Sequence, residues 1–518
     1  MRILMLDLDT LRPDHLGCYG YSKNTSPTID SIARSSMRFD EYYCSDAPCL
    51  PSRAALFSGR FGIHNGISNH GGTAADMRLL GRERGMRDDR MEHSIFNIFR
   101  QAGMHTVSIS TFAERHSSFW FNAGFHEMIN VGKGGGETAG EVIPHALDWV
   151  QRHSKEDQWF MHLHLWDAHA PYLTPKDYIN QFVNDPVSDW IDEDVFRRHR
   201  QKAGQHSLNE LGGFSENSRF SHFPKHLNNA ATMEELKQVL DGYDCGIHYM
   251  DSQIGRLIRL FKELEIYDDM AIIITSDHGE DLGELGIYSE HGVCDYCTTH
   301  IPLLIKWPGL SPGIDSRLRY NIDLAPTLCD LLGVKPYPWW DGQSFAPALA
   351  KNGLSISPKP YEKAKKYIYA SPTSADDGHE YLVMTQSAHV CQRGVRFDDY
   401  YYIRTYHSGY HLFPKEMLFN IKDDPHEQHN LANDYPELCA KACRYLTDWQ
   451  EEMMLTSEDD RDPLWTTLLE GGPLHGRCDT QAYYERLLKT GRIEGAKEFK
   501  RRFGNEFGKK PQGFRMTP

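Results

Sequence analysis

The 518-residue sequence predicts an α/β fold: a large mixed, mostly parallel sheet sandwiched by helices, with a smaller C-terminal α+β subdomain. Three observations carry this. Short apolar runs alternate with helical patterns over the first two thirds of the chain. Several of those runs end in carboxylates or histidines, as strands of open α/β sheets do where ligands collect. After Gly333 the texture changes to Pro-, Lys- and Tyr-rich sequence. The length is also too great for one compact core.

Met1 leads into Ile3-Leu4-Met5-Leu6, which ends in Asp7-Leu8-Asp9, the pattern of a buried parallel strand. A helical pattern follows over Ile29 to Ser35. In Cys49-Leu50-Pro51-Ser52-Arg53-Ala54-Ala55-Leu56-Phe57-Ser58-Gly59-Arg60, proline suits a first helical turn and Gly59 offers a stop. Cys49 therefore lies at or just before a helix N-terminus, where unpaired N–H groups favour an anion and lower a thiol's pKa. Taken alone, the stretch equally describes a small apolar residue buried under a helix.

Further along, His93 to Ala102 and Met233 to Leu264 read as helices. Thr106 to Ser110, Trp159 to Leu165, Ala271 to Thr275 and Ile301 to Lys306 read as strands. The stretch from Ser188 to Asn229 is polar and rich in His, Arg and Gly, and reads as an insertion or lid rather than core. Cys294 and Cys297 have redox or zinc spacing without a second pair, so they read as structural. Tyr367-Ile368-Tyr369 and Tyr400 to Arg404 are strand-like. Tyr483 to Pro518 is helical and basic, in the manner of a solvated helix with a frayed tail; docking on a neighbouring subunit or over the active site is the alternative. The division expected is a larger α/β domain over 1–359, a subdomain with a small antiparallel sheet over 360–455, and a helical basic extension over 456–518.

Hydrophobic content of 40% and charged content of 25% are those of a soluble globular protein. With 56 basic and 72 acidic residues the net charge is −16, which argues against nucleic acid or an anionic membrane as partner. An anionic substrate would need basic groups concentrated in a pocket, and a small anion or short oligomer fits best. The start lacks a basic n-region and cleavage site, and no run is long enough to span a membrane, so the chain reads as cytoplasmic. Eleven scattered cysteines fit a reducing compartment.

Asp9, Asp277-His278 and His169 each lie at or beyond the end of an expected strand. One such aspartate is usually a cap or turn residue. Three ends in one sheet point to a metal site, and hard oxygen ligands suit calcium, magnesium or manganese better than zinc.

Cys49, Pro51, Ser52, Arg53, Ser58, Gly59 and Arg60 match the signature of the type I sulfatases of the alkaline phosphatase superfamily, which this chain resembles. Asp9 to Gly20, Thr275 to Glu280, Ile301 to Gly309, Asp323 to Thr327 and Phe419 to Ala432 resemble further family segments in the family's order. The resemblance implies an alkaline phosphatase/sulfatase-like fold and oxidation of Cys49 to formylglycine by a maturation enzyme. The hydrated aldehyde then attacks sulfur with one hydroxyl and expels sulfate with the other. It implies Asp9, Asp277, His278 and the modified Cys49 as ligands of a divalent metal, calcium foremost. Asp7 stands as an extra candidate, since residues two apart share a face of a strand. Arg53, one helical turn beyond Cys49, can reach the metal-side carboxylates. His169 matches the histidine that contacts sulfate or protonates the leaving oxygen.

The chain also departs from the family. A family lysine that neutralises sulfate is replaced by Glu290 in Tyr288-Ser289-Glu290-His291, and a second by the stretch containing Glu114-Arg115-His116. His291, with Arg115 or His116, is expected to take over that role, and Glu290 to bond sugar hydroxyls or an amino group. The expected function is hydrolysis of a sulfate ester on a small saccharide. A phosphonate monoester or phosphodiester hydrolase, and a non-catalytic binding protein of the same fold, are the rivals. The basic C-terminal helices make a homodimer plausible.

Overall fold

Seven residues from Arg2 to Leu8 form the strand around which the molecule is organised, and all but the first are buried. The computed structural model describes residues 1–77, 92–214, 227–356, 378–457 and 459–509. In the main sheet of eight strands the order is Gly313–Asp315, Met37–Phe39, Leu303–Lys306, Met270–Thr275, Arg2–Leu8, Trp159–Leu165, His105–Ile109 and Glu127–Ile129. Leu303–Lys306 runs antiparallel to both neighbours, and every other pairing is parallel.

Alternation along the central strand sets the two faces of the sheet. Leu4, Leu6 and Leu8 pack with helices Pro27–Ala33, Ala139–His153 and Met233–Glu263. Ile3 and Met5 pack on the other side with helices Cys49–Ser58, Ile95–Gln101 and Leu324–Leu332. Asp7 continues the Ile3 and Met5 face, so it points beneath the helix that begins at Cys49.

A second sheet has five strands in the order Glu416–Asn420, Tyr400–His407, Cys391–Phe397, Tyr381–Gln386 and Asp46–Ala47. Its last strand comes from the N-terminal region and pairs in parallel, Asp46 with Thr385 and Ala47 with Gln386. Helix Pro436–Thr456 covers this sheet through Ala442, Leu446, Trp449 and Met453. Helix Cys49–Ser58 is buried at every residue between the two sheets, and Gly59, at φ 63°, ends it in the left-handed conformation that glycine adopts without strain.

Two expectations need correction. The stretch from Ser188 is polar in composition, yet Ile191, Val195, Leu208 and Leu211 insert into the core beside the main sheet. The C-terminal helices Thr480–Lys489 and Ile493–Phe503 are docked, not merely solvated. Tyr483, Leu487, Ala496 and Phe499 cluster with Ala203, and Arg492 and Arg486 both pair with the buried Glu210. Tyr367-Ile368-Tyr369 and the expected boundary near 360 lie outside the described residues. No helix among the described residues is long and apolar enough to cross a membrane.

Candidate active site

Four donors converge where the strands end. Asp9 follows strand Arg2–Leu8, Asp277 and His278 follow strand Met270–Thr275, and Cys49 opens the buried helix. Their donor atoms all lie within 4.8 Å of one another, and all four residues are buried. Cys49 Sγ is 3.0 Å from His278 Nε2, which is itself 3.2 Å from Asp277 Oδ2.

Arg53 binds this cluster together from one turn further along the helix. Its Nε and Nη2 donate to the two oxygens of Asp7 at 2.9 and 3.0 Å, and Nη1 lies 2.9 Å from Asp9 Oδ2 and 2.5 Å from Asp277 Oδ2. The three carboxylates and one guanidinium sum to two negative charges, which suits a dication. Asp7 stands outside the four-donor group, with both its oxygens bonded to Arg53. Burial alone would raise the carboxyl groups of Asp7 and Asp9, but Arg53 and the neighbouring histidines hold both well below the usual range.

The residues fit a metal on a direct structural test. Asp9 Oδ1 is buried with no hydrogen-bond partner, at the centre of the four donors. A buried carboxylate oxygen left without a donor is costly unless a cation satisfies it. The thiol does not behave as the helix position predicts. Burial pushes Cys49 up to about 11, with Asp9 and Asp277 adding to that and His278 opposing it. Desolvation and two carboxylates outweigh the helix N-terminus, so the side chain is poorly suited to act as a free thiolate. His278 is the converse: burial opposes its charge, but Asp277 and Cys49 carry it well above the ordinary imidazole value.

The remaining expected residues surround this centre. His169 Nδ1 donates to the Ala170 carbonyl, and the ring stands 5.1 Å from His291 and 5.7 Å from Trp166. His291 lies 4.2 Å, ring to ring, from His278, with Nδ1 3.1 Å from Glu280 and Nε2 3.1 Å from Glu290. His116 presents a buried Nε2 with no partner and packs 5.0 Å from His70. Arg115 is exposed and lies over the Trp166 ring at 4.8 Å. Burial lowers the pKa of His116, His169 and His291. Glu290 is half-buried and faces three imidazoles, those of His291, His206 and His389, at 3.1, 3.2 and 3.6 Å.

Several neighbours escape sequence reasoning. His164 Nε2 lies 2.7 Å from Arg53 Nη2 and 3.2 Å from Asp9, and His162 lies 3.3 Å from Asp7. Their signal is present in Trp159-Phe160-Met161-His162-Leu163-His164-Leu165: two histidines two apart in an apolar strand share a face. His70 accepts from the Leu50 N–H at 3.4 Å and meets His475 of the C-terminal extension at 2.9 Å. Nothing local marks those two, which are joined only by long-range packing. Cys294 and Cys297 are buried outside the four-donor group, and all eleven cysteines are free.

A helix-borne cysteine set among buried carboxylates and a histidine that could hold a metal, at the C-terminal ends of parallel strands, is the arrangement of an α/β hydrolase of the alkaline phosphatase superfamily. Residues 3–334 match the family described as Sulfatase, and the chain belongs to that family as a sulfuric ester hydrolase. Residues 283–452 also match the family described as N-sulphoglucosamine sulphohydrolase, C-terminal. The choline-sulfatase of Rhizobium meliloti (strain 1021) is 23% identical over 79% of this chain and 78% of its own. The N-acetylglucosamine-6-O-sulfatase of Bacteroides thetaiotaomicron is 21% identical over 90% and 89%. Among solved structures, the phosphonate monoester hydrolase of Agrobacterium radiobacter superposes with a TM-score of 0.63 at 17% identity, covering 87% of this chain and 96% of that one. A protein solved with its substrate D-glucosamine-2-N,6-O-disulfate gives 0.65 at 18%, covering 89% and 99%. Family membership implies a divalent metal and a formylglycine residue.

Proposed function

We propose that the chain hydrolyses a sulfate ester on a small saccharide, using formylglycine derived from Cys49 and a calcium ion held by Asp9, Asp277, His278 and residue 49. The observation that carries this is the position of Cys49, fixed at a helix N-terminus within 4.8 Å of all three other donors. A saccharide is favoured by the likeness to the N-acetylglucosamine-6-O-sulfatase over nearly the whole length of both chains. Calcium is favoured by the carboxylate-rich donor set. We place the reaction in the cytoplasm, in keeping with eleven free cysteines.

When bound, the ion would supply Lewis acidity and lower the pKa of an attacking hydroxyl. A formylglycine at residue 49 would supply, when hydrated, that hydroxyl and a second one for releasing sulfate. The protein's own side chains do the rest. Arg53 fixes Asp9 and Asp277 through shared hydrogen bonds and is itself aligned by Asp7 and His164. His169, whose Nδ1 is engaged by the Ala170 carbonyl, is left with Nε2 to carry a proton to the departing sugar oxygen. His116 offers its unpartnered Nε2 to a sulfate oxygen.

The test is purified, matured enzyme on paired aryl sulfate and aryl phosphonate esters, followed by a panel of sulfated mono- and disaccharides. Turnover of the sulfate and of at least one saccharide is expected. A strong phosphonate preference would overturn the assignment.

A further inference from the structure

We propose that Glu290, His291 and His389, whose donor atoms lie within 4.8 Å of one another, form a second metal site beside the first for an ion of the zinc class, with His206 on the other oxygen of Glu290. Three segments distant in sequence bring these groups together. Glu290 ends strand Tyr288–Glu290 and His291 follows it, His389 lies between the second sheet's strands Tyr381–Gln386 and Cys391–Phe397, and His206 comes from the buried loop near Leu208.

The spacing is that of a ligand set. The Nε2 atoms of His291 and His389 lie 3.1 and 3.6 Å from Glu290 Oε1, and that of His206 lies 3.2 Å from Oε2. Ligands at about 2.0–2.1 Å from a tetrahedral zinc stand about 3.3 Å apart.

Outer hydrogen bonds give a second, independent indication. Metal-bound histidines engage their other ring nitrogen with a carbonyl or carboxylate oxygen. His206 Nδ1 lies 3.1 Å from the Leu211 carbonyl, and His291 Nδ1 lies 3.1 Å from Glu280 Oε2. The Leu211 carbonyl can only accept, so His206 Nδ1 carries a proton and Nε2 is the nitrogen turned to the Glu290 carboxylate, as a second donor in the charged ring or as a lone pair for a cation in the neutral one.

Two other histidine–carboxylate groups lack this character. Glu127 accepts from the Trp149 indole, and Glu284 is paired with Arg12. Among the described residues, only imidazoles and the His291 backbone N–H reach Glu290. Imidazole-rich donors favour borderline ions over calcium, so the two centres would sort different metals.

Residue 291 links them, since its donor atom lies within 4.8 Å of those of both Cys49 and His278. A dication on Glu290 would restore positive charge at the position where the resemblance expects a lysine. That catalytic consequence rests on the sulfatase reading, whereas the binding itself does not.

The experiment loads full-length protein with zinc chloride in the presence of calcium, dialyses it, and counts metal per chain by mass spectrometry. Cobalt(II) loading adds a visible spectrum that reports tetrahedral coordination. Wild type is expected to keep about one zinc per chain beside its hard ion. His389→Ala and Glu290→Gln should each lose the zinc and the tetrahedral cobalt spectrum while melting as cooperatively as wild type. Asp277→Asn should keep both. Zinc retained by both variants, zinc lost only with Asp277→Asn, or a wild type that retains none would each overturn the site. Aryl sulfate turnover, measured separately, tests the sulfatase reading: its absence with the zinc pattern intact refutes that reading and leaves the site standing.

Discussion

Arg53 is fully buried and shared among three carboxylates, and its removal would leave their charges uncompensated. Arg53→Ala is expected to destabilise the metal-free protein by about 3–5 kcal/mol, measured by urea unfolding. Arg53→Lys should recover little, since a point charge cannot bridge three carboxylates. If His169 protonates the leaving oxygen, His169→Ala lowers kcat by about 10²–10⁴ on poor leaving groups. The loss should nearly vanish on activated aryl sulfates, which depart without a proton; equal loss on both would rule out general acid catalysis. At this scale the sequence is most readable where chemistry sits in a rigid motif: Cys49, Arg53, Asp277 and His278 announce themselves by spacing. For Asp7, strand alternation says which face the side chain takes but not that Arg53 meets it there. The imidazole neighbours of Glu290 at 206 and 389 lie far off in the chain and leave no local signal.

At the scale of elements, Asp251 on helix Met233–Glu263 receives the first free N–H groups of helix Pro27–Ala33, those of Thr28 and Ile29, at 2.9 and 2.8 Å. Burial raises its pKa from 3.8 to about 6, with the two backbone donors opposing the shift. A carboxyl raised in the folded state contributes its stability fully below the unfolded value and loses it as pH rises through the folded one. Stability should therefore decline between pH 3.8 and about 6 through this group. Asp251→Asn removes that decline, and the difference between the two proteins, followed by denaturant titration, should narrow with rising pH by on the order of 3 kcal/mol at most. The expected strands and helices on either side of the main sheet stand within a few residues of their sequence-based limits, because apolar periodicity reports burial directly. The Ser188–Asn229 stretch escapes that logic: a few apolar residues anchor a mostly polar segment, and composition averages them away.

For the whole molecule, the C-terminal extension supports the active-site wall. Arg492 and Arg486 hold Glu210, whose carbonyl accepts the His206 N–H at 2.9 Å, and His475 reaches His70 beside the Cys49 helix. Arg492→Ala should destabilise the fold by about 1–3 kcal/mol, since Glu210 keeps only Arg486 as a cation, and should lower activity although residue 492 lies outside the catalytic cluster. Chelation of the bound ion should abolish turnover and lower Tm, and re-addition should restore both in a concentration-dependent way, since a ligand that binds only the folded state stabilises it by mass action. None of this long-range support has a local signature; basic, helical sequence looks the same whether it is solvated or docked.

The strand just before Cys49 closes only when Thr385 and Gln386 arrive to pair with Asp46 and Ala47. At a synthesis rate of about 5–20 residues per second, the roughly 340 residues between these partners take about 17–70 s to emerge. Once the second sheet has formed, Cys49 is 1% exposed and the helix that carries it is buried throughout. The topology thus acts as a clock. An enzyme that converts this cysteine would therefore meet it most readily before residues 385 and 386 have paired with 46 and 47.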